Sequence, residues 1–234
     1  MIDDKTVLDA VAAAVEAAKA AGADWADAVA ASGRSISVSA ERNTIRESES
    51  GYYRGVGVRA FVAGGMGLAR AGSLELVAAR RIGQQAAELA RSASPDPDFR
   101  CLPEPQPLGP SPKVFDDKVA GLPAETLVDW CVQIIDRGRA AADQVFVGGG
   151  AHASSGVWAM ASSTGVVVSV LSSWVGYHVF ASVWDGEQAA SYWDSTGARC
   201  LAGLQWADLP EAVVKRAASL VHDRPITTRR RDLV

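Results

Sequence analysis

The sequence is poor in the residues from which reactive sites are built. Its 234 residues hold three histidines and three cysteines. Cys101, Cys131 and Cys200 stand far apart and form no CxxC pair, which argues against a disulfide framework or a sequence-local thiolate zinc site. A reduced compartment fits this usage. His152, His178 and His222 each lack a second histidine within four residues, so no helix carries two imidazoles on one face for a metal. There is no excess of positive charge: the formal net charge of −4 gives no general attraction to nucleic acid. No stretch of ~18 apolar residues exists to span a membrane. The start, MIDDKTVLDA, lacks the basic residues and continuous apolar run of a signal peptide. The expected location is the cytoplasm. The one basic run, Arg229-Arg230-Arg231, has the chemistry to touch phosphate, but a solvated tail or cut linker is the simpler reading.

What is present is ordinary globular material. Hydrophobic residues make up 48% and charged residues 21%, enough to bury a core in one large domain or two modest ones. Asp3 or Asp4 can cap a first helix whose apolar face is Val7, Leu8, Val11, Val15 and Ala18, with Gly22 as its stop. The period then changes. Residues 27–31 read as a short strand and 35–39 alternate strictly as a second, half-buried one. Thr44–Ser48 returns, residues 56–62 alternate again, and a turn at Ala63-Gly64-Gly65 leads into 66–71. This is an antiparallel meander. Ser73 is placed to cap a helix over Leu74–Ser92.

Residues 93–122 contain Pro95, Pro97, Pro103, Pro105, Pro107, Pro110 and Pro112, a density that neither helix nor central strand tolerates. Beyond them Pro123 opens a helix with Leu127, Trp130, Cys131, Ile134 and Ile135 on one side. Strands follow over 145–161, 166–172 and 174–184. Asp185-Gly186 marks a hairpin into 188–193, and a last helix runs from about Asp208 to Val221. The predicted class is α+β, with two subdomains that each combine an antiparallel sheet with packed helices. The predicted division is 1–94, a proline-rich linker at 95–122, and 123–234.

The candidate sites each have a plainer reading. His152, His178 and His222 could converge on a metal only through folding; isolated surface or strand residues explain them as well. Gly148-Gly149-Gly150 is followed by Ala151-His152 and not by the Lys-Ser or Lys-Thr of a phosphate loop. Gly55-Val56-Gly57 lacks the third glycine of a dinucleotide site. Ser154, Ser155, Ser162 and Ser163 sit in no GxSxG elbow, and turn chemistry accounts for them. Cys131 reads as a buried thiol, and Arg100 is the only neighbour that could activate Cys101. The aromatic set Trp158, Trp174, Tyr177, Trp184, Tyr192 and Trp193 lies on predicted strands. It either packs against helices, the simpler reading, or lines a groove for extended peptides.

One ordered series of motifs carries a resemblance. Gly22-Ala23-Asp24-Trp25-Ala26-Asp27 leaves an alanine-rich helix. Gly55-Val56-Gly57-Val58-Arg59, Gly64-Gly65-Met66-Gly67-Leu68-Ala69 and Ala90-Arg91-Ser92-Ala93-Ser94-Pro95-Asp96-Pro97 follow in turn. Together they resemble the N-terminal domain of the TldD/PmbA family, also known as the modulator of DNA gyrase family. Ala161-Ser162-Ser163-Thr164-Gly165 resembles the family's middle-domain turn, with Ser162 where asparagine is usual. The middle region looks closer to the PmbA (TldE) type.

The resemblance implies a metallopeptidase-related system in which zinc is held by an HExxxH motif in a later domain of the catalytic subunit. This sequence has no such motif, so no catalytic or metal residue and no cofactor is expected in it, and no peptide-binding residue is assigned. The implied role is a non-catalytic front part of a TldD/PmbA-type protein, without the C-terminal metal-site domain. It would serve substrate admission and subunit pairing, with a TldD-like catalytic subunit or a second copy as partner and unfolded peptides as substrate. The alternative is a stand-alone binding or dimerisation module with no peptidase role.

Overall fold

The computed structural model describes residues 4–107, 109, 113–205 and 208–222. The elements run α1 (Asp4–Ala20), β1 (Trp25–Glu41), β2 (Thr44–Val62), β3 (Gly65–Ala71), α2 (Leu76–Ser92), α3 (Asp117–Ala120), α4 (Ala124–Ala140), β4 (Val145–Ser162), β5 (Val167–Asp185), β6 (Gln188–Ala198) and α5 (Leu209–Leu220), with one 3-10 turn at Leu201–Gly203. The six strands form a single antiparallel sheet in the order β3-β2-β1-β4-β5-β6. The α+β class is therefore observed, and the two helix-backed halves share one sheet.

Local chemistry accounts for the turns. At Gly22, with φ of 88°, α1 ends in a left-handed residue, and the Ala23 N–H reaches back to the Ala18 carbonyl. Arg42 (φ 50°) and Asn43 (φ 66°) make a two-residue β1–β2 hairpin with both residues left-handed. Asn43 then accepts from the Val147 N–H at 2.7 Å and donates to the Val145 carbonyl at 3.0 Å, fixing the start of β4. Asp185-Gly186 is the β5–β6 hairpin that its sequence predicts.

Register decides where the core sits. On β1 the buried Ala26, Ala28 and Ala30 share parity with the buried Ile36, Val38 and Ala40, and no bulge interrupts the β1–β4 pairing between them. Both sets therefore point to one face. The first set packs under α1 and α2 with Val58, Ala60, Val157 and Ala159. The second packs under α4 and α5 with Val147, Ala151, Val175 and Val179. Among the described residues the four long helices all cover this face, and none of them lies on the opposite one.

Several sequence expectations change. The separate strands at 27–31 and 35–39 are one 17-residue strand, and 44–48 and 56–62 belong to one of 19 residues. The apparent break at Ser32-Gly33-Arg34 is a glycine kept small for packing. Tyr53 lays its hydroxyl over Gly33 and Gly156, where any Cβ would collide. Residues 166–172 and 174–184 likewise fuse into β5. Helix α2 starts at Leu76 and not Leu74; its N-cap is Glu75, and the Ser73 hydroxyl accepts from the Glu75 N–H. Within the proline-rich stretch the short α3 forms, capped by Asp116. Phe99 stacks on Phe61 at 4.0 Å, and the Pro103 carbonyl accepts from Thr164. Pro110, Pro112 and Arg229-Arg230-Arg231 lie outside the described residues.

Candidate functional site on the open sheet face

Strand alternation places a consistent set of side chains on the face without helices. One row across the sheet reads Glu47, Ser39, Gly150, His178, Ser195. The next reads Glu49, Ser37, His152, Gly176, Gly197. A third holds Gly51, Ser35, Ser154 and Trp174. The floor is thus serine and glycine, with two imidazoles at its centre and two carboxylates at the β2 side. Glycine is needed here for space: a Cβ at Gly150 would press on the His178 ring, and one at Gly197 would strike the Trp174 indole.

Two adjoining cavities occupy this floor. One of about 510 Å³ is lined by Ser37, Glu47, His152, Trp174, Gly176 and His178. The other, about 690 Å³, is lined by Arg42, Arg46, Glu47, Phe146, His178, Phe180 and Trp184. They share Ser39, Glu47 and His178 and so form one groove. A third cavity of about 830 Å³ continues past Phe146 and Trp184 towards Asp136 and Arg139. Phe146 and Trp184 meet edge to face at 4.8 Å, and the Arg199 guanidinium lies 5.4 Å from the Trp174 ring centre.

His152 is half-buried and His178 is more open, and the partial desolvation of each against the groove walls holds both imidazoles below their ordinary pKa. They are neutral at pH 7 and offer one donor and one acceptor each. As diagonal neighbours on paired strands they stand roughly 7–8 Å apart at their Cα atoms. Among the described residues no group of three or more His, Cys, Asp or Glu side chains could hold a metal ion. A zinc site needs at least three protein ligands, and these residues do not fit zinc.

The other candidates disperse. His222 lies away from the groove, joined to Gln188 and Asp185 at 2.8 Å each, and ties the end of α5 to the β5–β6 hairpin. Cys131 is buried, with desolvation raising its thiol to about 11, so it is unreactive. Cys101 is exposed and Cys200 half-buried, both as free thiols. Ser162 bonds Thr164, and the Ser163 hydroxyl accepts from the Ala26 N–H, as turn residues do. No serine is hydrogen-bonded to a histidine among the described residues, so nothing assembles a nucleophile and base.

The aromatic set divides by parity. Tyr177 faces the helices, buried, with its hydroxyl on the Gln205 carbonyl. Tyr192 lies on the same side, opposite Ala181. Trp158, Trp174, Trp184 and Trp193 are on the open face, and packing against helices does not describe them. Glu47, Glu49, Ser37, Ser39, Phe146 and Phe180 are not apparent as site residues from sequence. The strict alternation at 35–39 marks a polar face, but only the β1–β4 register brings it beside the histidines.

Residues 26–93 match the family model described as PmbA/TldA metallopeptidase domain 1. The fold is similar to that of TldE from Thermococcus kodakarensis, with a TM-score of 0.77 and 23% identity over 91% of this chain and 47% of that one. It is also similar to a candidate modulator of DNA gyrase from Bacteroides thetaiotaomicron, with a TM-score of 0.82 and 14% identity over 93% of this chain and 50% of that one. A third, from Thermotoga maritima, gives 0.70 and 15% over 92% and 48%. The chain spans about half the length of these solved structures. No curated protein matches its sequence.

Proposed function

We propose, from the match of residues 26–93 to PmbA/TldA metallopeptidase domain 1, that the chain is the non-catalytic front part of a PmbA/TldD-type protein, gathering unfolded peptides for a zinc metallopeptidase whose metal lies elsewhere. Residues 1–94 and 123–234 then act as two units around the proline-rich 95–122. The catalytic partner is a TldD-like subunit or a later domain, and the compartment is the cytoplasm.

The observation that carries this reading is the open-face groove. Its serine and glycine floor is polar, with hydroxyls and neutral imidazoles able to bond a peptide main chain. Its flanks offer Trp174, Phe180, Phe146 and Trp184 to apolar side chains. Such a surface accepts extended chains with little sequence preference, because the main chain is common to all of them. Binding is the task assigned to it, on the strength of these hydroxyls, imidazoles and aromatic faces.

The test is fluorescence anisotropy of a labelled, unstructured peptide titrated with the chain. Binding is expected, weakened about tenfold by Trp174→Ala, which removes about 1.4 kcal/mol of contact. The peptide should remain uncleaved. Binding that is absent, or unaffected by both Trp174→Ala and Phe180→Ala, would overturn the assignment of the groove.

A further inference from the structure

The helix-covered face has a seam where its two cores stop. On β1, Ala30 belongs to the core under α1 and α2, and Ile36 to the core under α4 and α5. Ser32 and Arg34 lie between them with the same parity. The seam continues across the sheet: Arg34 pairs with Tyr52 on β2 and with Ser155 on β4, and Ser155 pairs with Ser173 on β5. A cavity of about 540 Å³ lies there, within the size range of small-molecule sites. Its lining comes from the strands and the 115–120 segment, chiefly Arg34, Ser155, Tyr52, Phe115, Leu171 and Asp117.

Two polar groups in this cavity have no structural use. Arg34 is half-buried, and its guanidinium reaches one partner, the Ala120 carbonyl, at a long 3.5 Å. Among the described residues no carboxylate stands within ion-pair distance of it. A partly desolvated cation without a counter-charge is costly, and the fold pairs others of its kind, Arg59 with Asp27 and Arg137 with Glu211. Ser155 is only 6% exposed, yet its hydroxyl has no hydrogen-bond partner among the described residues. No side-chain oxygen or nitrogen among them is sealed from solvent without a partner. The Ser155 hydroxyl therefore keeps some of the residue's small exposed surface, and that surface opens on the cavity. Ser173 differs, with its hydroxyl committed to Asp116 and Arg199 and its N–H to the Val114 carbonyl. These bonds fasten both neighbours of Phe115 and so fix the cavity wall.

We propose that this cavity binds a small monocarboxylate carrying an aromatic or branched apolar group. The carboxylate takes the N–H fork of Arg34 and the Ser155 hydroxyl, and charge-assisted bonds of this kind are the strong ones. The apolar group lies against Phe115, Tyr52 and Leu171; Tyr52 is 88% and Leu171 41% exposed without it. Asp117, exposed on the lining, repels a second negative charge and disfavours dicarboxylates and phosphates. The site is on the opposite side of the sheet from the groove and does not depend on peptide binding.

Titration of the isotope-labelled chain with phenylacetate, benzoate and isovalerate, followed by amide NMR, tests it. Saturable binding of at least one at millimolar concentration or below is expected, with shifts at Arg34, Ser155 and Leu171. The matching amide keeps the shape and loses the charge, and should bind the unaltered chain at least tenfold more weakly. Arg34→Gln should weaken the carboxylate about tenfold or more, and Arg34→Lys less, because the charge stays while the fork is lost. Ser155→Ala should weaken it about threefold. The amide spectrum of each variant checks its fold. Three outcomes would overturn the proposal: no saturable binding by any of the three, an amide that binds as tightly as its carboxylate, or a folded Arg34→Gln chain that binds undiminished.

Discussion

The two helix-backed halves of the sheet solve the same packing problem with different residues. Under α1 and α2 the core is built mainly of alanine, among them Ala10, Ala14, Ala18, Ala26, Ala28, Ala30, Ala60, Ala79, Ala86, Ala87, Ala159 and Ala161, with Val7, Val11, Val15, Val56, Val58, Ile82 and Val157 between them. Under α4 and α5 it is built of Ile36, Val38, Leu127, Ile134, Val147, Val175, Tyr177 and Val179. Small side chains let backbones approach closely, as at Gly83, where an added Cβ would meet the Ala14 carbonyl. Large ones hold the layers apart and fill the gap by volume. Dispersion and burial stabilise both halves, but the first is limited by space and the second by filling.

Opposite substitutions should therefore injure the two halves. The largest effect is expected from Leu127→Ala, a fully buried side chain of the second core. It leaves a cavity and should cost about 2–5 kcal/mol in a denaturant melt. Gly83→Val in the first core should cost about 1–3 kcal/mol by overpacking, with α1 and α2 forced apart. The comparison breaks if Gly83→Val is silent while truncations in the alanine core are severe. Hydrogen exchange would localise each injury, the first to α4 and β4, the second to α1 and α2.

The smallest effect is one of pH and belongs to the second half alone. His152 and His178 have folded pKa values below the ordinary 6.5. The unfolded chain then binds protons more readily than the folded one, so their contribution to stability is present above about pH 6.5 and is lost as pH falls below it. A His152→Asn, His178→Asn double variant should flatten the acid limb of the stability curve between about pH 6.5 and 5. Imidazole resonances titrating above about 6.5 would contradict the desolvated groove.

These residues also mark what could be read in advance. The alternation at Ser35–Ser39, the apolar faces of α1 and α4, and the Asp185-Gly186 hairpin are local patterns, and local patterns report local geometry. The strand breaks expected near Ser32-Gly33-Arg34 and at Ser173 do not occur, because glycine and serine mark more than turns. Here Gly33 is small to admit Tyr53, and Ser173 is polar because its hydroxyl accepts from the Asp116 N–H and donates to the Arg199 carbonyl. These partners are remote in sequence. The groove could not be assembled for the same reason: Glu47, Ser39, His178 and Ser195 come from four strands, joined only by pairing register.

The sequence by itself determined the α+β class, the helices and most turns, and the ordered motifs over residues 22–97 that carry the family resemblance. It also determined that no local zinc or nucleophile motif is present, since such motifs are short-range patterns. Only the tertiary structure decided that the two halves share one sheet, that all long helices cover a single face, and that the histidines and tryptophans meet on the other. The shared sheet rests on the register of β1 against β4, about a hundred residues or more away, the meeting of histidines and tryptophans on the register of β4, β5 and β6, and both on a parity that one inserted residue would have reversed.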